Sequence, residues 1–469
     1  VRRQRTVTLP PEIASIHALR IAAATDGTRM NQLSSLYHAH LATLKARTDT
    51  ALANAGYDAL LIHSGSLRYQ FLDDRPYPYR TNPHFKHWLP LTRHPDCWIA
   101  YRPGHPPLLI YQQPEDYWHE VPAAPAGYWV EHFDIRVVRE PRDAQSHLPA
   151  GLRCAVIAEG ETGLDAFPAN NPKVLLDELH YHRASKTEYE LVLMRQASLM
   201  AARGHIAAAA AFHAGLSEYQ IHLRYVEATG QTETDLPYGN IVALNENAAV
   251  LHYQYQRTEL PLQHLSFLID AGAEASGYAA DITRTYARHP GVFADMIDAL
   301  DTVQRTLCDM VKPGQSYPEI HLQAHRCIGD ILQRFKLVRM SAESQVESGV
   351  TRVFFPHGIG HLLGLQVHDV AGFARNPLGE SIPKPPGHPF LRLTRELACD
   401  HVVTIEPGIY FIDSLLRGLV NGPHAGAVAW SEVDALRHYG GIRIEDNVRA
   451  CASGTPENLS RDAFAAVMQ

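Results

Sequence analysis

The sequence predicts an α+β protein, in which a C-terminal region of strands with helices packed outside them follows a smaller α/β domain. Three observations carry this expectation. Of 469 residues, 45% are hydrophobic, which allows a large core at a length that favours two or three domains. Up to about residue 182, short strand-like runs alternate with loops and helical stretches. Beyond residue 183, long helical patterns come first and strand-like segments follow.

Residues 1–33 begin with the basic run VRRQR and are expected to be an extension without chemistry. Across residues 36–56, Tyr37, Leu41, Leu44, Ala51 and Leu52 recur at helical spacing, with Thr48 the one polar position on that face. YDALLIHSG then reads as a buried strand. The strand-like pieces CWIAY, LLIYQQ and CAVIAE and the helical stretch VLLDEL complete an α/β domain over residues 34–182, an ordinary domain size.

Around Arg183 the texture changes, and the boundary is placed there, so the second domain spans 183–469. A long helical pattern carries the capping box Thr187-x-x-Glu190 and ends at Gly215, and Ser217-x-x-Gln220 opens another helix in the same way. Two further helices, about 293–311 and 317–335, are separated by the breaker pair Pro313-Gly314. LSFLID, GYAADITRTYA, HVVTIEPGIYF and GGIRIEDNVRA read as strands.

Composition argues against several classes of function. A formal charge of −8 with scattered basic residues gives no stripe for nucleic acid. No run of 18 or more apolar residues offers a membrane span. Six widely spaced cysteines form neither a CxxC pair nor a disulfide-dense scaffold, which fits a reducing cytoplasm.

Chemistry concentrates in four segments of the second half, which carry Asp270 and Asp281, His361, Glu406 and Glu445 among apolar residues. Four carboxylates brought together in an interior repel one another by several kcal/mol unless cations neutralise them. Two divalent ions resolve the conflict. Carboxylates with one imidazole and no thiolate suit Mn²⁺ best, with Co²⁺, Fe²⁺ or Zn²⁺ as other candidates. Ions roughly 3.5–4 Å apart need shared carboxylates. Strand parity places Arg443 and Glu445 on one face, Thr404 and Glu406 together, and Asp281 with Thr283 and Thr285.

The order Asp, Asp, His, Glu, Glu, with HGIGH, VHD and TIEPGIY, resembles the metal-dependent pita-bread peptidases of the creatinase/aminopeptidase type. Within them, FLDDRPYPYRTNPHFKHWLP over residues 71–90 resembles the bacterial Xaa-Pro dipeptidase, or prolidase, branch. The resemblance runs from about Leu36 to the C-terminus. It implies a pita-bread catalytic domain and hydrolysis of Xaa-Pro dipeptides, with release of free proline, by a hydroxide bridging two divalent ions. Asp270 matches a ligand of one ion, His361 and Glu406 match ligands of the other, and Asp281 and Glu445 match the bridging carboxylates.

Further roles follow from the same resemblance. His357 and His361, four residues apart, could share a helical turn, but the resemblance gives only His361 to metal and leaves His357 a supporting role. His368 and His252 match histidines that contact substrate and assist proton transfer, and Glu406 is the candidate for moving the proton to the departing proline nitrogen. Arg392 matches the position that binds the substrate carboxylate, with a surface pair to Glu396 as its bland alternative. Tyr238 and Val367 match the pocket for the small side chain, Arg443 lines the same cavity, and Asp73 and Trp88 match residues that approach a neighbouring subunit of a homodimer. Two other functions compete: an aminopeptidase P acting on longer Xaa-Pro peptides, and a non-catalytic binding protein on the same fold. Enzymes of this kind also imply a weak promiscuous organophosphate triester hydrolysis.

Overall fold

A strand at Ala59–His63 (β1) organises the N-terminal part of the chain. In the computed structural model, which describes residues 27–469, all five residues of β1 are buried, as an apolar run covered on both faces requires. β1 pairs antiparallel with β2 (Trp98–Tyr101) and parallel with β5 (Cys154–Ile157). β3 (Leu108–Gln112) and β4 (Asp134–Val138) extend the sheet in the order β4-β3-β2-β1-β5. Alternation along β1 sends Leu60 and Ile62 into the core under the first helix, α1 (Gly27–Ala55), and Leu61 into a separate core on the other face.

Tyr37, Leu41, Leu44, Ala51, Leu52 and Thr48 are all buried, at 3% exposure or less, so the helical face read from the sequence is the one that packs. The helix begins at Gly27, ahead of the expected boundary at residue 33; the rest of the expected extension, residues 1–26, lies outside the described residues.

The junction near Arg183 is a buried knot. Arg183, at the end of α2 (Lys173–Arg183), and Lys186 both pair with Asp369, at 2.5 and 3.1 Å, with all three side chains essentially inaccessible. The next helix, α3 (Glu188–His213), starts on the Thr187–Glu190 capping box, and its Tyr189, Leu191 and Met194 share one apolar core with Tyr37 and Leu41 of α1. α4 (Glu218–Thr229) starts on the Ser217–Gln220 box and ends at Gly230, whose φ of +69° suits glycine.

Small sheets build the C-terminal layers, among them a two-stranded pair of 274–275 with 278–279. β6 (Ile241–Leu244), β7 (Ser266–Asp270) and β8 (Thr283–Ala287) form an antiparallel sheet with β7 at its centre. β9 (Val402–Ile405) pairs with β12 (Asp446–Arg449), and β10 (Gly408–Tyr410) pairs with β11 (Gly441–Arg443). α5 (Val292–Cys308) and α6 (Tyr317–Arg334) cover them, and Met296, Leu300, Ile320 and Ile328 meet Val403, Ile405, Ile409 and Ile442 in the largest core cluster.

The structure corrects the sequence reading of the acidic strands. GYAADITRTYA, HVVTIEPGIYF and GGIRIEDNVRA are each interrupted, at 280–282, 406–407 and 444–445. The interruptions fall where the chain leaves one sheet for the next. Pro407, which lacks an N–H for a ladder, sits in one of them. HGIGH is also not a helical turn: the preceding helix ends at Phe354, and residues 355–361 run as loop. At Gly360 (φ +147°) a Cβ would collide with the Thr404 carbonyl and the Tyr317 hydroxyl, so the loop's close approach to β9 requires glycine.

Candidate metal centre

The breaks deliver the ligands. Asp270 ends β7, Asp281 precedes β8, Glu406 follows β9 and Glu445 precedes β12, so four carboxylates from different strand ends meet His361 from the loop. One ligand atom each from Asp281, His361 and Glu445 lie within 4.8 Å of one another. His361 Nε2 is 3.5 Å from Asp281 and 3.7 Å from Glu406. Its Nδ1 donates to the Leu362 carbonyl at 3.0 Å, which turns Nε2 toward the carboxylates.

Each carboxylate is oriented by a hydroxyl or a guanidinium. The Tyr238 hydroxyl contacts Asp270 at 2.8 Å and Asp281 at 2.5 Å. Thr283 donates to Glu445 at 2.7 Å, and Thr404 Oγ1 receives the His361 backbone N–H at 3.1 Å beside Glu406. Thr283, Thr285 and Thr404, which parity placed with the acidic residues, are all buried. Arg443 donates to Asp270 at 2.8 Å and to the Tyr410 hydroxyl at 2.9 Å. Tyr410 reaches His357 Nε2 at 2.8 Å, while His357 Nδ1 lies 2.8 Å from the Gly358 carbonyl. Both ring nitrogens of His357 are therefore engaged, and the ring stands beside Glu406 at 3.6 Å.

The charges do not balance on protein groups alone. Arg443 is the guanidinium facing this cluster, and burial together with the neighbouring carboxylates pushes Glu406 up to about 7 and Glu445 well above the usual carboxylate value. Burial also raises Asp270, whereas hydrogen bonding and charge from His361 outweigh burial and hold Asp281 low. A donor set of four carboxylates, Asp281 and Glu445 buried and Asp270 and Glu406 partly so, with one imidazole turned toward them fits two divalent cations, which would relieve that mutual repulsion.

The centre opens into a cavity of about 860 Å³ that is also lined by His252, His368, Arg392 and Arg443. The His368 ring stands edge-on to His361 with centroids 4.4 Å apart. Arg392 is exposed to the cavity, and no ion pair joins it to Glu396 among the described residues. The sequence reading missed several lining groups, among them His180, Phe373, Lys384 and Phe390. Lys384 lies 5.1 Å from the Phe373 ring centroid; Phe373, Lys384 and Phe390 come from a loop without secondary-structure periodicity, whereas His180 stands on α2. Tyr410 was also missed, although strand parity from Glu406 in TIEPGIY would have found it.

Of the expected substrate contacts, Tyr238 and Val367 do not line the cavity, and Trp88 and Asp73 lie away from it in their own chain. Trp88 is 3% exposed in the N-terminal core, with its ring 5.2 Å from Tyr101. Val367 packs partly buried against that same core and does not line the cavity. Asp73 lies on an exposed loop, apart from the cavity of its own chain, beside Phe71 and Leu72, which are 88% and 91% exposed.

Comparisons with known proteins agree with this geometry. The sequence pattern of metallopeptidase family M24 matches residues 192–450, and the chain belongs to that family. The pattern of the Xaa-Pro dipeptidase N-terminal domain matches residues 35–181. Over 434 residues the chain is 53% identical to an Xaa-Pro dipeptidase of Stenotrophomonas maltophilia (strain R551-3), covering 92% of this chain and 98% of the relative. It is equally identical, at 53% over 436 residues, to an Xaa-Pro dipeptidase of Xanthomonas axonopodis pv. citri (strain 306), covering 92% and 99%. Within M24 it therefore groups with the Xaa-Pro dipeptidases. The solved aminopeptidase PepP of Pseudomonas aeruginosa superposes with a TM-score of 0.67 at 23% identity, covering 91% of this chain and 98% of that one, which shows the shared pita-bread fold with its N-terminal domain.

Proposed function

We propose that the chain cleaves Xaa-Pro dipeptides at the centre formed by Asp270, Asp281, His361, Glu406 and Glu445. The observation that carries this reading is the meeting of those five side chains at the floor of a cavity that also presents Arg392, His252 and His368. Asp270, Asp281, His361, Glu406 and Glu445 would hold two divalent cations, Mn²⁺ in the first instance, which would supply Lewis acidity and an activated water for attack on the peptide carbonyl.

The chain's own groups do the rest. Arg392 binds the carboxylate of the C-terminal proline through its planar fork, which fixes the dipeptide's length. Glu406, facing both the cavity and His361, takes the proton released on attack and returns it to the proline nitrogen, which has no proton of its own to leave with. His368 and His252 donate to the oxygen on which charge develops. His357 acts through Tyr410 and Arg443 to hold Asp270 and Glu406 in place, so it is a positioning residue. Arg443 belongs with it, since its contacts are to Asp270, Tyr410 and Thr283.

The same reading includes a domain over 34–182 ahead of a catalytic domain over 183–469, supported by family matches that meet between residues 181 and 192. It also includes a cytoplasmic homodimer, supported by six free cysteines and by the exposed apolar loop at Phe71 and Leu72 around Asp73. A weak phosphotriesterase side activity follows from the same nucleophile, and its absence in fully metallated protein would remove that part alone. Turnover of Ala-Pro against Ala-Pro-Ala after Mn²⁺ loading tests the main activity. The dipeptide is expected to win, and preference for the tripeptide would make the chain an aminopeptidase P instead.

A further inference from the structure

A second cluster of metal-binding side chains stands apart from the carboxylate centre. His321 and His325, one turn apart on α6, face His388 from the cavity-side loop, and one ring nitrogen of each lies within 4.8 Å of the others. His321 and His325 are 1% exposed, and His388 is partly exposed. Spacing of four residues puts two imidazoles on one helical face, the geometry with which helices commonly hold a transition metal.

Hydrogen bonding leaves this cluster incomplete. His321 Nε2 and His388 Nδ1 are 2.8 Å apart and share one proton between them. His325 Nδ1 lies 3.0 Å from the Thr351 hydroxyl. His321 Nδ1 and His325 Nε2 are buried with no partner at all, at a cost of about 1–3 kcal/mol for each such group. The rings are neutral under ordinary conditions, since burial, followed by the neighbouring histidines, holds His321 down to about 2 and His325 down to about 3.

We infer that His321, His325 and His388 form a separate mononuclear site for a borderline divalent ion such as Zn²⁺. A cation takes one lone pair from each ring at once, which a single shared proton cannot do. Ligation through His325 Nε2 gives that orphaned nitrogen a partner and leaves its proton on Nδ1 toward Thr351, the oriented arrangement that metal-bound histidines usually have, while His321 and His388 keep their protons on the nitrogens opposite the ion. Zn–N distances near 2.0 Å at tetrahedral angles set ligand nitrogens about 3.3 Å apart, so the closest pair opens by roughly half an ångström. Partial exposure of His388 provides the entry path and room for a water as fourth ligand. Imidazole-only ligation sets this site apart from the oxygen-rich centre, which prefers harder ions. Arg352, which donates to the Gly387 carbonyl beside His388, weakens the site electrostatically and favours moderate over tight binding. The two centres are near neighbours: the Phe355 ring lies 4.8 Å from both His325 and His357.

The test uses the full chain, stripped with chelator, loaded with Mn²⁺ and equilibrated with Zn²⁺. Bound ions are counted by mass spectrometry, and zinc-edge absorption fine structure reports the donor atoms. Wild type is expected to hold one more ion per chain than His388→Ala, and the difference spectrum to show imidazole nitrogens at about 2.0 Å. Thr351→Val, which keeps all three rings, should weaken zinc binding by roughly 10- to 100-fold. Equal counts in wild type and His388→Ala would overturn the inference. So would a wild-type zinc spectrum dominated by carboxylate oxygen, which decides the matter even if the alanine variant fails to fold.

Discussion

Thr283→Val isolates the part of the centre that holds a bridging carboxylate in place. The residue is fully buried and valine has nearly its shape, so the change exchanges one hydroxyl for a methyl. That hydroxyl donates to Glu445 at 2.7 Å and accepts from Arg443 Nε at 3.2 Å, so both partners are charged. A hydrogen bond to a charged group contributes about 1.5–3 kcal/mol, and losing an outer support of a metal ligand costs roughly 10- to 100-fold in affinity. The second figure corresponds to about 1.4–2.8 kcal/mol, so the two routes agree. Competition with a chromophoric chelator should show this loss for the more weakly held ion, and circular dichroism should show the fold retained. Unchanged affinity, within about twofold, alongside loss of binding in Glu445→Gln would refute the claim that Thr283 orients the bridge.

Three other expectations follow from named contacts. Arg392→Ala should lower kcat/KM for Ala-Pro by roughly 10- to 100-fold, the equivalent of one charge-assisted contact, with far less effect on an amidated dipeptide; equal losses on both would take Arg392 out of carboxylate recognition. His368→Ala should lower kcat with metal content unchanged by mass spectrometry, and loss of metal would move His368 into the ligand set. In metal-free protein burial pushes the Glu406 carboxyl from 4.5 to about 7, so the stability that Glu406 itself contributes is present below its unfolded value and lost as pH rises through about 7, opposite in sign to the contribution of buried neutral histidines such as His321 and His325. The size is on the order of 3 kcal/mol, with Asp270 and Glu445 acting in the same direction and Asp281 against them. Thermal unfolding of chelated wild type beside Glu406→Gln from about pH 5 to about pH 8 checks it: wild type is expected to lose ground to the variant as pH rises, and a constant difference would contradict it.

Local signals were legible wherever one residue pattern dictates one conformation. The capping boxes at Thr187 and Ser217 start helices where they were read, and the apolar face from Tyr37 to Leu52 is the buried one. The five candidate ligands stood out because their spacing matches a family pattern, and parity grouped Thr283 with Asp281 and Arg443 with Glu445, without showing that the Thr283 hydroxyl reaches Glu445. Parity could not reveal that Asp281, Glu406 and Glu445 sit in strand breaks, because a strand that changes sheets keeps the same apolar composition on either side. The resemblance around Trp88 carries residue identity but not burial, so the packing of its indole into the core was not legible. Lys384, Phe373 and Phe390 were invisible because loop residues reach the cavity through tertiary placement, which no local period records. His321, His325 and His388 were passed over for a related reason: sixty-odd residues separate the helical pair from its third member.

The most direct test of the whole centre is anomalous diffraction at the manganese edge from crystals grown with Mn²⁺ and a dipeptide product. Two peaks roughly 3.5–4 Å apart, enclosed by Asp270, Asp281, His361, Glu406 and Glu445, with the product carboxylate against Arg392, are the predicted result. A single peak, or manganese held by any other set of side chains, would contradict it.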